Sequence, residues 1–340
     1  MKYVVNARFL TQEITGVQRF AIEISKILKR EYRDEVIFVC PKNVIHQEIA
    51  EELGAVIIGS KKSHAWEQID LRQFLIKQKS PLLLNLCNTA PLYYRNNIVT
   101  IHDIAFEVFP ETYSRKFLLT YKFLIPRLAR SARKILTVSD FSKKEMLENY
   151  RISESKIEVV SNAASDIFFP EPNNELKKEK YFLTVSSVNL RKNMKLVLSA
   201  FQEFSKANKD FKLFIIGDLD SKSFSTFSIK NFEKNSQIRF IGRVSDEKLR
   251  EYYTNCEAFI YPSLYEGFGI PPLEAQKCNA PVILSDIECF KEIFKDSVLY
   301  CDPHNPEMLL SKMEFCTEKH NQSVLINKGR ENLRNYSWEA

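Results

Sequence analysis

Two glutamates, Glu266 and Glu274, stand with seven residues between them in the stretch SLYEGFGIPPLEA, Ser263 to Ala275. A strand-like run, AFIYPS, leads into the first, and the second falls inside a helix that opens near Pro271-Pro272, a residue type suited to a first helical turn. Between them Gly267-Phe268-Gly269 lets backbone come close to a ligand and present amides to it. The same residues also read as an ordinary turn and helix start. Four other places put groups capable of chemistry just after strand ends, three through side chains and one through backbone amides. Arg191-Lys192-Asn193 follows a strand and precedes a helix, where two cations suit a polyanion whose charge grows. His102-Asp103 ends another strand, and an imidazole there can exchange protons near neutral pH beside a carboxylate. Gly16 precedes a helix start, a setting that favours an anion. Arg243 follows the strand run QIRFIG, next to a Ser245-Asp246-Glu247 helix cap. Taken singly, each has a plain structural reading as well: a turn glycine, a loop-capping histidine, a surface basic pair.

The elements that must position these groups alternate along the whole chain. KYVVNARF, EVIFVC, AVIIG, PLLLNL, NIVTIHD, KILTVSD and KIEVVSN read as strands in the first half. YFLTVSS, FKLFIIGD, QIRFIGRV, AFIYPS, PVILSD and SVLYCD repeat the pattern in the second. Amphipathic stretches such as GVQRFAIEISKILKREY, NMKLVLSAFQEFSKAN and SDEKLREYYTN separate them. Apolar, β-branched strands alternating with helices predict parallel sheets covered on both faces. The pattern restarts after DIFFPEPNNELKKEK, so residues 167–180 read as a linker. Two doubly wound α/β domains are expected, residues 1–170 and 171–340. In such sheets ligands bind beyond the carboxyl ends of the strands, where strand order reverses. No GxGxxG follows a strand and no GxxxxGK[ST] occurs, which weakens dinucleotide and P-loop readings.

A chain of 340 residues, 44% hydrophobic and 27% charged, has the composition of a globular protein with two cores. The amino end lacks the order of a signal peptide, and the longest apolar run, about FLLTYKFLI, is interrupted by Lys122. A cytoplasmic protein without a transmembrane helix is expected. Seven cysteines without a CxxC pair read as reduced core thiols, and the sparse histidines suggest no zinc site. The net charge of +6 comes from residues 1–170, with 25 Lys+Arg against 19 Asp+Glu. Tyr113 to Lys134 carries seven basic residues and no acid. Such a helix suits an anionic membrane surface or phosphates, and reads equally as a solvated basic face. No aromatic-interleaved groove or helix-turn-helix signal accompanies it, so nucleic acid is not expected as a partner.

With these residues in view, the chain resembles the retaining GT-B glycosyltransferases of family 4 over nearly its whole length. TGVQRF, the HD after a strand, ILTVSDFSKKEM, VVSNAA, RKN, FIGRVSDEKLREYY, YPSLYEGFGIPPLEA and SDIECFKEI carry the resemblance, in the family's order. It is similar to bacterial enzymes that build O-antigen, capsule or other surface polysaccharides, often mannosyl- or rhamnosyltransferases. The resemblance implies the GT-B fold, two Rossmann-like domains facing an interdomain cleft, with the acceptor on the first and the nucleotide-sugar donor on the second. It implies that Glu266 meets hydroxyls of the donor sugar, and that the Phe268, Gly269 and Ile270 amides contact sugar and phosphate. Glu274 would hold the ribose, and Lys192 with Arg191 would neutralise the leaving diphosphate. Gly16 would admit that diphosphate to the first helix, His102 would contact the reacting region with Asp103 on the acceptor side, and Arg243 lies where the family meets the nucleobase. Helix-terminal amides and cationic side chains can stabilise the leaving charge. No metal or other cofactor is therefore expected. A glycan or polyprenyl-diphosphate-linked acceptor is expected, and peripheral attachment at the inner face of the plasma membrane would fit.

Three departures from the family pattern stand out. Ser186-Ser187 replaces an Arg that many members place before the RK turn, so phosphate neutralisation would rest on Lys192. Ala163 stands where a glycine is usual, and the chain stops at YSWEA where relatives continue into a helix that crosses back. A truncated or unusually short end, with closure less restrained, is the expectation there. Other readings are an epimerase or phosphorylase of the same fold, which lacks a pyridoxal-lysine signature here, or a non-catalytic sugar-nucleotide-binding protein. Intact Glu266, Lys192, Glu274 and His102 weigh against the latter.

Overall fold

The computed structural model describes residues 3–173, 175–186, 189–217, 232 and 235–339. The chain divides into two compact units, one running to Asn162 and one from Ala163 to Trp338. The 167–180 stretch expected as a linker contributes to the second unit. Glu171 N donates to Thr254 Oγ1 at 3.0 Å, and Arg250 pairs with the Glu171 carboxylate.

Every strand run expected from sequence forms a strand. The first unit holds β1 (Tyr3–Asn6), β2 (Val36–Cys40), β3 (Val56–Ile57), β4 (Leu82–Asn85), β5 (Asn97–Thr100), β6 (Lys134–Thr137) and β7 (Ile157–Val159). They pair in parallel in the order β3-β2-β1-β4-β5-β6-β7. The second unit holds β8 (Lys180–Val185), β9 (Phe211–Ile216), β10 (Ile238–Gly242), β11 (Ala258–Tyr261), β12 (Val282–Ser285) and β13 (Leu299–Cys301). Their order, β10-β9-β8-β11-β12-β13, is that of a dinucleotide-type doubly wound sheet. Strand order reverses between β1 and β4 in one unit and between β8 and β11 in the other, so a ligand crevice is expected at each.

Burial on both faces explains why the strands are nearly unbroken apolar runs: β11 and β12 are buried at every position. β3, at the edge of its sheet, is two residues long and exposed, as edges usually are kept short. Helices pack on the sheets through apolar stripes; Leu196, Val197, Ala200, Phe201 and Phe204 of the Met194–Ala207 helix enter the second core with Phe182, Leu213 and Ile260. In the first unit Leu124, Ile125 and Leu128 of the basic Arg115–Ser131 helix enter a core with Val99 and Ile135. A separate cluster gathers Val4, Val39, Trp66, Leu71 and Leu83. All seven cysteines are free thiols, six of them buried. Among the described residues no helix is long and apolar enough to cross a membrane, and no three His, Cys, Asp or Glu gather as metal ligands.

Candidate active site

The switch point of the second unit is built by two loops, one after β8 and one after β11. In the first, Asn189 caps a short turn over Leu190–Lys192 by accepting from Arg191 N at 2.9 Å. Asn193 follows with φ 52° and ψ 40°, a left-handed conformation that asparagine tolerates, and the Met194–Ala207 helix starts there. The turn therefore delivers Arg191 and Lys192 together at a helix amino end. Leu264 N donates to Arg191 O at 2.7 Å and ties this loop to the one after β11.

The side chains complete the junction. Lys192 Nζ donates to Glu266 Oε1 at 2.5 Å and to the Tyr261 hydroxyl, and lies 4.7 Å from the Tyr261 ring centre. Arg191 Nη1 donates to Glu266 Oε2 at 3.2 Å and to Tyr265 O at 2.7 Å. Burial alone would push the Glu266 carboxyl up, but the two cations outweigh it and hold it down at about 2. Burial, and then the Glu266 charge, push the Tyr261 phenol well up, so it stays a neutral donor and acceptor. Two cations around one carboxylate leave a net positive charge in a place largely screened from water, where its field is strong. Tyr261 has no signal in sequence beyond its place at the end of a strand run.

Glu274 lies in the Ile270–Lys277 helix, with Pro271 and Pro272 in the first turn, where missing N–H groups cost nothing. Glu274 is buried, 6% exposed as a residue, and the Tyr253 hydroxyl donates to its Oε2 at 3.4 Å. Gly269, at φ 113°, takes the left-handed turn into that helix; a Cβ there would come within 2.9 Å of Phe290 Cε1. The Phe268 ring packs edge-on to Tyr336, and Ile270 is buried as the first helical residue. Arg243 follows β10 and is exposed. Gly217, at φ 140°, lets the end of β9 lie against Ser186, whose carbonyl a Cβ would meet at 1.9 Å. Ser187 lies outside the described residues.

In the first unit Gly16 is the first residue of the 17-residue Gly16–Tyr32 helix, not the residue before it, and is exposed there. Gln18 Oε1 accepts from the Thr15 amide at 3.2 Å and from its hydroxyl, which fixes the turn entering the helix. His102 is buried at the end of β5. Its Nε2 faces Leu86 O at 3.0 Å, its amide donates to Asn88 Oδ1 at 2.9 Å, and its ring meets Phe20 edge-on at 4.9 Å. Burial pushes the imidazole's proton affinity down, against weaker raising effects of the Leu86 carbonyl and Asp103. A carbonyl can only accept, so Nε2 carries the proton of a neutral ring, and His102 is poorly suited to be an acid. Asp103 Oδ1 accepts from Ala105 N at 3.0 Å, so its carboxylate braces the turn after β5.

A charged cluster that sequence reasoning missed sits at the β1/β4 switch point. Arg8 Nε pairs with Glu67 Oε2 at 3.2 Å, and the same oxygen accepts from Asn6 Nδ2 and Thr89 Oγ1, each at 3.0 Å. Arg8 Nη2 also donates to Thr89 Oγ1 at 2.9 Å, and Asn6 Nδ2 to Asn85 Oδ1 at 3.1 Å. Spacing carries no sign of this, because Arg8 and Glu67 are far apart in the chain.

Comparison with known proteins places both units. Residues 166–336 match the family model described as glycosyl transferases group 1, and residues 14–166 match that of glycosyltransferase family 4. The chain is 29% identical over 317 residues to the O-antigen chain mannosyltransferase RfbU of Salmonella typhimurium, covering 88% of this chain and 86% of that one. It is 26% identical over 254 residues to the O-antigen chain mannosyltransferase B of Escherichia coli, covering 71% and 67%. The solved structure of Anabaena Alr3699/HepE in complex with UDP and glucose matches with a TM-score of 0.77 at 14% identity, over 100% of this chain and 96% of that one. At that identity the likeness concerns the fold, which is GT-B.

Proposed function

The chain belongs to the group 1 glycosyl transferases, and from that premise we propose that it moves a hexosyl residue, mannose or a similar sugar, from a nucleoside-diphosphate donor to a glycan or polyprenyl-diphosphate-linked acceptor, with retention, in the building of a bacterial surface polysaccharide such as O-antigen. One observation carries the reading: Arg191 and Lys192 converge on Glu266 at the β8/β11 switch point. Departure of a nucleoside diphosphate builds negative charge on phosphate oxygens and positive charge at the anomeric carbon. Cations that are already oriented cost no reorganisation as that charge appears. Lys192 and Arg191 take the leaving diphosphate in this reading, and the Glu266 carboxylate meets donor-sugar hydroxyls.

Glu274 accepts from ribose hydroxyls, the Phe268, Gly269 and Ile270 amides contact sugar and phosphate, and Arg243 meets the nucleobase. Gly16 offers its helix amino end to the diphosphate, and neutral His102 contacts the reacting region rather than protonating it, with Asp103 on the acceptor side. These assignments require neither a divalent metal nor another cofactor. The Arg115–Ser131 helix supports contact with an anionic membrane surface at the inner face of the plasma membrane. Arg127 and Arg130 of that helix, with Arg95, Leu92, Tyr93 and Ser131, line a cleft of about 440 Å³, and Leu119, Phe123 and Tyr93 are exposed. Apolar side chains among arginines are the combination that an anionic bilayer surface attracts.

The test is a donor screen by thermal shift with GDP-, UDP- and dTDP-sugars, followed by transfer. A sugar nucleotide that binds the native state raises the melting temperature by mass action. Nucleoside diphosphate released only when an acceptor is added, with glycosylated product, supports the reading. A donor that binds without transfer to any glycan or lipid-linked acceptor removes it.

A further inference from the structure

Tyr261 closes β11, and at 5% exposure it is too buried to serve as a substrate contact in its own right. Its ring is fixed by Phe259, stacked at 5.8 Å, and by Phe290 at 6.2 Å. Its hydroxyl accepts from Lys192 Nζ, which also lies over the ring. Packed tyrosines elsewhere in this unit satisfy their hydroxyls differently. Tyr181, Tyr300 and Tyr336 donate to the backbone carbonyls of Tyr252, Lys295 and Ile293. A tyrosine that only fills a core needs no more than such a carbonyl. Tyr261 is instead bonded to the cation assigned to the leaving diphosphate.

Lys192 has a compact charge on a long flexible stem, so its position depends on what the ammonium group meets. One partner is Glu266, on the loop that follows β11. In the transfer reading that carboxylate must also accept from donor-sugar hydroxyls, and each one competes with Lys192 for the same oxygens. Glu266 also offsets the positive charge that the diphosphate needs. Tyr261 has neither drawback. It stands on a strand buried at every position, and a strand holds a side chain more precisely than a loop does. Burial keeps the phenol protonated, so it accepts from Lys192 without cancelling its charge, and its own proton remains for Glu266.

We propose that Tyr261 is a positioning residue for the transfer step: its neutral hydroxyl and ring face hold the Lys192 ammonium toward the departing diphosphate while Glu266 is engaged with the donor sugar. It acts through Lys192 and touches neither sugar nor phosphate. The inference rests on the glycosyl-transfer reading, which assigns those tasks to Lys192 and Glu266.

Tyr261→Phe removes the hydroxyl alone and keeps the ring, with its packing on Phe259 and Phe290. Calorimetry with GDP, UDP and dTDP on the full chain reads the placement of Lys192 without turnover, because a free diphosphate carries the charge that departure creates. Affinity for the nucleoside diphosphate that the parent binds should fall roughly 10-fold in Tyr261→Phe, the worth of one hydrogen bond to a charged group. Single-turnover transfer should slow by a similar factor, and affinity for the matching sugar nucleotide should fall less, since its diphosphate carries less charge. In a Lys192→Ala background the same substitution should change nucleoside-diphosphate affinity by less than about 2-fold, because the two residues act as a unit. A packing role would give losses that add, and melting curves of each variant separate loss of fold from loss of binding. Parent-like nucleoside-diphosphate affinity in Tyr261→Phe, or losses that add across the two substitutions, overturns the positioning role. Coupled losses in a protein that transfers no sugar would keep that role and discard the transfer reading. Transfer without the coupling would do the reverse.

Discussion

Lys192 Nζ lies 2.5 Å from Glu266 Oε1, so a cation suited to a phosphate and a carboxylate suited to a sugar hydroxyl are in direct contact. The pair joins the two loops of one switch point, and Lys192, with Arg191, keeps the Glu266 carboxylate charged. Substitutions at either therefore have two effects, one on the substrate and one on the partner left behind.

Lys192→Ala should lower kcat by roughly 100- to 1,000-fold, the loss expected when one oriented charge opposite a developing oxyanion is removed. Donor affinity should fall much less, because Arg191 remains and the charge on a bound diphosphate is smaller than on a departing one. Single-turnover rates and calorimetric donor titration together decide it. Equal turnover in variant and parent would sink the leaving-group role.

The Glu266 carboxyl titrates at about 2 in the fold against 4.5 for an unperturbed glutamate. Between those values the unfolded chain binds the proton and the folded chain does not. The stabilisation is thus complete above about pH 4.5 and is lost as pH falls toward about 2, on the order of 3 kcal/mol for the group. Urea midpoints of the parent should decline through that window. Glu266→Gln should be less stable at pH 7, since Arg191 and Lys192 lose their counter-ion, and the gap from the parent should narrow in acid. A constant gap from pH 7 to pH 3 would contradict the ion pair. Glu67, held at about 2 in the first unit, should leave a residual acid dependence in the variant.

The strands were legible because a parallel strand buried on both faces, such as β11 or β12, is a continuous apolar run, and helical periods separate most of these runs; the exposed edge strand β3 is the weakest of them. Arg191, Lys192 and Glu266 were legible as types beside strand ends. Their pairing was not, since Lys192 and Glu266 are 74 residues apart and only the sheet order brings the loops together. His102 was visible as a histidine, but its neutral ring follows from burial and from the Leu86 carbonyl, neither readable in IHD. Glu67 was least visible: AWEQIDL reads as an unremarkable amphipathic turn, and a wider helical turn plus three distant partners make it a buried charge.

Glycine positions near the switch point should differ sharply in tolerance. Gly217 and Gly242 both have positive φ, 140° and 82°. A Cβ at Gly217 would lie 1.9 Å from the Ser186 carbonyl oxygen, whereas at Gly242 nothing lies within 4 Å. Gly242→Ala should cost about 1–3 kcal/mol from backbone strain alone. Gly217→Ala should cost more, because backbone must move as well. Thermal melts that rank the two variants the other way would rule out close approach at Ser186 as the cause.

Glu274→Ala should raise the donor dissociation constant by roughly 10- to 100-fold, the worth of hydrogen bonds to one charged group. Its effect on kcat at saturating donor should be small, because a ribose contact is the same before and during transfer. Tyr253→Phe removes the hydroxyl that donates to Oε2 at 3.4 Å and should produce a weaker version of the same shift. Donor affinity unchanged in Glu274→Ala would exclude the ribose role.

The three arginines lining the first-unit cleft give the membrane reading a direct check. Each basic residue near an anionic surface contributes about 1 kcal/mol, so replacing Arg95, Arg127 and Arg130 by Gln should weaken liposome binding by roughly 100-fold. The binding should also fade with salt, since the surface potential is screened within about 10 Å at 0.1 M. Arg127 stacks on Phe123 at 3.8 Å and donates to the Phe123 carbonyl at 2.8 Å, so its replacement should also free the exposed Phe123 ring. Sedimentation with phosphatidylglycerol vesicles against neutral vesicles, at low and high salt, measures both effects. Retention that neither salt nor the triple variant reduces would assign membrane contact to apolar insertion by Leu119 and Phe123 instead, and no retention at low salt would leave the basic helix a solvated face.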